Sequence, residues 1–132
     1  GFMPNGRRAP EGFGGVNVPN EVLRKIILEG DAVRLNEEAN KLGQDLSRGG
    51  LSSSQIRNVL DKLQQMKAFD LTKLQLLRPL MAYAAGRHGG KGRELQRISD
   101  QAIQVVKSDK HFVNFKNFFE AIVAYHRYHG GK

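Results

Sequence analysis

The sequence contains no cysteine and no tryptophan, and only four of its 132 residues are proline. Without cysteine the chain can form neither disulfides nor thiolate metal sites, which fits a reducing cytoplasm. It has no run of about 18 apolar residues, so no membrane span is expected. The first residues lack the apolar core of a signal peptide. These absences favour a cytoplasmic protein that folds by ordinary core packing.

Patterns typical of catalysis are missing as well. Gly89–Gly92 read GGKG, but no serine or threonine follows the lysine and no strand is predicted before it, so this is not a nucleotide-binding loop. His126 and His129 are three residues apart on a predicted helix, yet no acidic residue adjoins them, and neither a metal nor a cofactor is expected. No nucleophile arrangement and no closely paired carboxylates stand out. The sequence predicts a protein that is not an enzyme.

Acidic residues are few relative to basic ones, with 13 Asp and Glu against 21 Lys and Arg, a formal net charge of +8. The excess lies in the second part of the chain. Residues 49–88 carry six cations and two anions, and residues 89–132 carry eight and four, whereas residues 19–48 carry five and six. Such an uneven distribution favours an anionic partner, most often nucleic acid. A basic but otherwise ordinary soluble protein is the alternative.

The remaining pattern is helical. Residues 1–18 hold two prolines and five glycines and predict a disordered tail, followed by a single helical domain over residues 19–132. No segment has the alternation of a strand, so we expect an all-α fold, a compact bundle of five to six helices with short loops. Apolar residues recur at helical spacing over about 20–29, 32–46, 53–67, 71–88, 94–107 and 110–128.

Two of these helices leave alternatives open. Pro79 interrupts the fourth one, so that either the helix kinks there or a new helix begins with Pro79 in its first turn. The last one has a very broad apolar face that includes Phe112, Phe115, Phe119 and Ile122. A face of this width belongs either to the central helix of the core or to half of a dimer seam.

The joint between the fourth and fifth helices is the most unusual stretch. Gly86–Arg93 contains four glycines and the cations Arg87, Lys91 and Arg93, and we predict a loop. Glycine-rich backbone and cationic side chains together place N–H donors close to a phosphate group. Because the aromatic residues do not alternate with the cations, sequence-independent phosphate contact is favoured over base stacking.

Three segments carry a family resemblance: LSSSQIR at 51–57, LRPLMAYAAGR at 77–87 and FKNFFEAIVAYHRY at 115–128. In this order they resemble the small subunit of the Csm-type (type III-A) CRISPR effector complex. The resemblance implies a non-catalytic, all-helical subunit of an RNA-guided interference complex, without a cofactor. Copies of such subunits stack along the duplex of guide RNA and target RNA. They contact the backbone-forming subunits and the large signature subunit.

The resemblance also implies which residues bind RNA without sequence preference: Arg57, Arg78 and Arg87, by their positions in the motifs. The charge pattern adds Lys67, Lys91 and Arg93. Self-association is expected, and the isolated protein is predicted to form a homodimer, with or without exchanged helices. The alternative function is a free-standing helical nucleic-acid-binding regulator, which would prefer one duplex sequence over others.

Overall fold

The chain folds into six α-helices in the computed structural model, which describes residues 18–88 and 90–131 without the side chains of Gln55, Ala84, Arg87 and His88. No strand occurs among the described residues, and the predicted all-α bundle of five to six helices is confirmed. The predicted disordered tail lies outside the described residues except for Val18, which is buried in the core. The helices are α1 Asn20–Arg24, continued by a π-helical turn Lys25–Glu29, α2 Ala32–Arg48, α3 Ser53–Gln65, α4 Leu71–His88, α5 Gly90–Gln104 and α6 Asp109–Tyr128.

Helix α6 is the centre of the bundle. Phe112, Phe115, Phe118 and Phe119 are each only 1% exposed, and α2, α3 and the π-helical turn pack against them. Burying one such side chain stabilises the fold by about 1.5–3 kcal/mol. The broad apolar face of the last helix is therefore core, and it is not available as a dimer seam.

The helix α2 approaches α6 most closely at Gly43. A Cβ at this position would lie 2.6 Å from the backbone nitrogen of His126 and 2.8 Å from the carbonyl carbon of Tyr125. Backbone atoms of a helix cannot turn aside as a side chain can, so only glycine permits this spacing. The contact fixes the separation of α2 and α6, the helix pair with the most extensive contact in the described chain.

Short polar side chains begin three of the helices. Asp31 accepts a hydrogen bond from the Arg34 backbone N–H at 3.1 Å, and Asp70 accepts one from Lys73 at 3.0 Å. Ser108 does the same for α6. Each contact satisfies an N–H group that has no partner within its own helix. The helix boundaries thus follow local chemistry that the sequence makes visible.

The segment around Gly86–Arg93 differs from the prediction. The predicted loop is wrong: α4 runs through Pro79 as one helix to His88, and α5 begins at Gly90. A single residue separates the two helices, which pack against each other. Gly90 has a φ of 34°, in the left-handed region that glycine adopts without strain. Lys91, Arg93 and Glu94 are good helix formers, which favours helix in the first turn of α5 despite Gly90 and Gly92.

Candidate nucleic-acid interface

Three of the six predicted RNA-binding residues present unpaired positive charge. Arg57, Lys67 and Arg93 are exposed, and none of them forms an ion pair with a described residue. Arg57 lies in the second turn of α3, Lys67 follows the end of α3, and Arg93 lies in the first turn of α5. Their N–H donors face solvent and are available to a ligand.

The contact between Lys91 and Gly49 shows how these three cations are arranged. A Cβ at Gly49 would collide with the side-chain carbons of Lys91, so the first turn of α5 lies directly against the loop between α2 and α3. Arg93 follows Lys91 in the same helical turn, so it lies near this contact. Lys67 lies past the opposite end of α3. Arg57 thus lies within α3, Lys67 beyond its end, and Arg93 on α5.

Arg78 is engaged in the interface between α4 and α5. Its Nε and Nη2 donate to the two carboxylate oxygens of Asp100 at 2.6 and 3.0 Å, and its Nη1 donates to Gln75 at 3.0 Å. The hydrogen bond from Arg78 lowers the pKa of Asp100 against the opposing effect of burial. Two of the five guanidinium N–H groups remain for another acceptor. Arg78 thus joins the two helices first and has limited capacity for a phosphate.

Lys91 lies in a half-buried cluster that links α5 to α2. Its Nζ donates to Asp45 at 2.8 Å and to Glu94 at 3.1 Å, and its side chain is only 19% exposed. Burial opposes the charged form of Lys91, but the hydrogen bonds to both carboxylates outweigh it and raise the pKa. Burial raises the pKa of Glu94. Because two anions already compensate Lys91, it is less available to a phosphate group than Arg57, Lys67 or Arg93.

Arg87 remains a prediction from the resemblance. Its backbone lies in the last turn of α4, and its side chain is outside the described part of the chain. The structure therefore separates the predicted set into three exposed cations, two cations already engaged with acids, and Arg87.

Sequence reasoning missed a groove between the end of α3 and the first half of α4. Its volume is about 400 Å³, and two exposed lysines, Lys62 and Lys73, stand at its rim with Gln65. The helical spacing assigned one face of α4 to the core and left Leu76 and Leu80 unassigned. The available signal was the leucine-rich text LQLLRPL, in which Leu76 and Leu80 lie outside the stripe formed by Leu74 and Leu77. The groove is lined further by Met66, Leu76, Leu77 and Leu80.

His126 and His129 form hydrogen bonds within the fold. The buried ring of His126 places Nε2 2.6 Å from the carbonyl oxygen of Leu51, and Gly131 lies against the ring. His129 places Nε2 2.6 Å from the side-chain oxygen of Asn40. Among the described residues no three His, Asp or Glu side chains are grouped to hold a metal ion. In the same ranges no helix is both long and apolar enough to cross a membrane.

Arg78→Gln and Asp100→Asn should each lower the free energy of unfolding by about 1–3 kcal/mol at pH 7, because each leaves a charged partner without its hydrogen bonds. The folded-state pKa of Asp100 is lowered, so its contribution exists above the ordinary value near 3.9 and is lost as pH falls through the folded value. Urea denaturation at pH 7 and in acid measures both effects. If the Asp100→Asn protein were as stable as wild type at pH 7, the Arg78–Asp100 ion pair would not stabilise the packing of α4 against α5.

A family model for Csm2 Type III-A matches residues 29–132 of the chain. The matched range contains all helices from α2 to α6 and all six predicted RNA-binding residues. Neither the search of curated proteins nor that of solved structures finds a match. The family match therefore covers the surfaces described above.

Proposed function

The chain belongs to the Csm2 Type III-A family, the small subunit of the type III-A CRISPR effector complex, and from this premise we propose that it is a non-catalytic RNA-backbone-binding subunit. It stacks in the cytoplasm along the duplex of guide RNA and target RNA, beside the backbone-forming and large signature subunits. Base pairing with the guide already reads the target sequence, so a subunit of this kind needs only shape and charge. Cleavage of the target is assigned to other subunits.

The observation that carries the proposal is the group of exposed, unpaired cations on a rigid helical scaffold. Arg57, Lys67 and Arg93 have no described acidic partner, so binding of phosphate does not require breaking an existing ion pair. Each such contact releases condensed counterions from the RNA, which favours binding without regard to sequence. Arg78 adds its two remaining N–H groups. Arg87 is retained as a candidate because of its position in the segment that resembles the family.

Lys91 has a different part in this proposal. Its ion pairs with Asp45 and Glu94 hold the first turn of α5 against α2. That turn carries Arg93, two residues further on. Lys91 therefore positions the interface, and Arg93 makes the contact with RNA.

The test is a triple variant, Arg57→Gln, Lys67→Gln and Arg93→Gln, in a salt titration of single-stranded RNA binding. About four phosphate contacts give the wild type a log–log salt slope near −3, and loss of three contacts should reduce its magnitude by about 2. At low salt the affinity should fall at least tenfold, to a similar degree for RNAs of unrelated sequence. Fluorescence anisotropy with two labelled RNAs of different composition measures both quantities.

The matched control removes three charges elsewhere: Arg24→Gln, Lys25→Gln and Lys41→Gln, all exposed on α1, the π-helical turn and α2. It should keep the salt slope of the wild type. Equal losses in both triple variants would mean that only net charge matters and would refute the interface. Strong preference for one duplex DNA sequence over random competitor would instead favour a free-standing regulator.

A further inference from the structure

The last turn of α6 carries the most exposed large hydrophobic side chain among the described residues, Tyr128, at 80%. Its hydroxyl group forms no hydrogen bond with a described residue. Along α6 the nearest other exposed large hydrophobic residue is Val113, about four turns away. This end of α6 therefore offers a single aromatic ring, and α6 has no contiguous apolar patch here of the kind that docks a protein partner.

The Tyr128 ring is held in place by its neighbour. The rings of Tyr128 and His129 have centroids 5.0 Å apart and planes at 76°. His129 is fixed to α2, because its Nε2 lies 2.6 Å from Oδ1 of Asn40 and its carbonyl oxygen accepts a hydrogen bond from Ser47 at 3.1 Å. These contacts order a helix end that would otherwise fray. At 80% exposure at least one face of the Tyr128 ring is open to solvent.

Cations accompany the ring on both elements. Arg127 precedes Tyr128 on α6, and Arg48 follows Ser47, whose hydroxyl group donates to the backbone of His129. Both arginines are exposed, and neither forms an ion pair with a described residue. An open aromatic ring among unpaired cations is the combination that binds single-stranded nucleic acid, because bases stack on the ring while the positive charge attracts the backbone.

The end of α6 also adjoins the start of α3, the helix that carries Arg57. The Ser53 hydroxyl group donates to the carbonyl oxygen of Gly131 at 3.3 Å. Gly131 is three residues beyond Tyr128, and Arg57 follows Ser53 by one helical turn. Tyr128 and Arg57 therefore lie on elements that meet at the same end of the bundle.

We propose that the Tyr128 ring, held by His129, is a stacking platform for an unpaired nucleobase of single-stranded RNA. The base lies over the open face of the ring, and since every base has such a face, the contact is tolerant of sequence. The ring is already ordered by its contacts with α2, so stacking sacrifices little side-chain freedom. The inference rests on the proposed function, to which it adds a contact with the bases beside the contacts with phosphate.

The direct test is Tyr128→Trp, because the chain contains no tryptophan and the variant therefore has a single indole at this position. Single-stranded RNA should lower its fluorescence at least about twofold when a base stacks on the indole. A ribose-phosphate oligomer of equal length and charge, but without bases, should not. The matched control is Tyr83→Trp in α4, at a residue that is 68% exposed, and its fluorescence should change little with either oligomer.

Two further substitutions separate stacking from general apolar contact. Tyr128→Phe keeps the aromatic ring and should bind RNA within about twofold of wild type. Tyr128→Leu keeps an apolar side chain without an aromatic face and should bind at least about fivefold more weakly. Its log–log salt slope should equal that of wild type, because no charge is removed. Fluorescence anisotropy measures both quantities, and circular dichroism verifies the fold.

The outcomes distinguish this inference from the proposed function. The platform is overturned if Tyr128→Leu binds RNA as wild type does, or if the oligomer without bases lowers the fluorescence of Tyr128→Trp as much as RNA does. The proposed phosphate contacts fail in a different way, when the triple variant of Arg57, Lys67 and Arg93 keeps the wild-type salt slope. Base-dependent quenching of Tyr128→Trp would then leave the platform standing. A wild-type protein that binds no RNA would overturn both.

Discussion

Replacing Gly43 by valine should prevent the protein from folding to a stable native state. A Cβ at this position already lies 2.6 Å and 2.8 Å from backbone atoms of His126 and Tyr125, and the branched side chain adds two more carbons. The α2 and α6 helices would have to separate along their whole contact. Overpacking usually costs about 1–3 kcal/mol, and more where the neighbour cannot move. We expect Gly43→Ala to lower the free energy of unfolding by about 3 kcal/mol. Gly43→Val should remove most of the 5–15 kcal/mol that is typical of a domain.

The control is Gly86→Ala, in α4. A Cβ added there meets no atom within 4 Å, so only the greater helix propensity of alanine counts. The variant should be more stable than wild type by about 0.5–1 kcal/mol. Urea denaturation monitored by circular dichroism compares the two glycines directly. If Gly43→Ala were as stable as Gly86→Ala, the close approach of α2 and α6 would be wrong.

The second large effect is expected for Lys91→Ala, with Arg93→Ala as its control of equal charge. Removing Lys91 leaves Asp45 and Glu94 close together and half-buried without the ammonium group that bridges them. We expect a loss of about 2–4 kcal/mol at pH 7, near the range for breaking a buried ion pair. Arg93 is exposed and unpaired, so Arg93→Ala should stay within about 0.5 kcal/mol of wild type.

The loss in Lys91→Ala should depend on pH in a defined direction. Burial raises the pKa of Glu94, and the hydrogen bond from Lys91 lowers it, so removing Lys91 raises it further. An acid with a raised folded-state pKa binds its proton more tightly in the folded state. The loss of stability caused by Glu94 is therefore absent below its ordinary pKa near 4.3. It develops as pH rises through the folded-state pKa. The stability difference from wild type should accordingly shrink on acidification to about pH 4.

In RNA binding the larger effect is expected for Arg93, whereas in stability it is expected for Lys91. Arg93→Ala should weaken binding to every RNA sequence and reduce the salt slope by about 0.7. Lys91→Ala should affect RNA binding only as far as the fold is lost, so at a temperature where it remains folded its salt slope should match wild type. A reduced slope in folded Lys91→Ala, with stability unchanged, would make Lys91 an RNA contact and refute its positioning role.

The helices were predictable because their determinants are local. Apolar residues at helical spacing lie within a few residues of each other along the chain. The family resemblance, confirmed by the match over residues 29–132, was also carried by short segments. The RNA-binding residues were less predictable, because the presence of a cation in the sequence does not show whether an acidic residue of another helix pairs with it. Asp100 is 22 residues from Arg78, and Asp45 is 46 residues from Lys91.

The backbone conformation of the glycine-rich joint was also not predictable from the sequence. Glycine permits a loop without requiring one. Packing of α4 against α5 favours helix up to His88 and again from Gly90 onward. The open question about the last helix could not be decided from its pattern, because a buried centre and a dimer seam present the same wide apolar face.

The central position of α6 has a consequence for synthesis of the protein. The ribosome makes α2 and α3 first, and the helix that buries their apolar faces emerges only some 50 to 80 residues later. Leu42 and Leu46 thus remain uncovered on the nascent chain until nearly all of the matched region has been translated. Formation of the core is therefore a late, long-range event, and the unfinished chain passes through a period of vulnerability to aggregation.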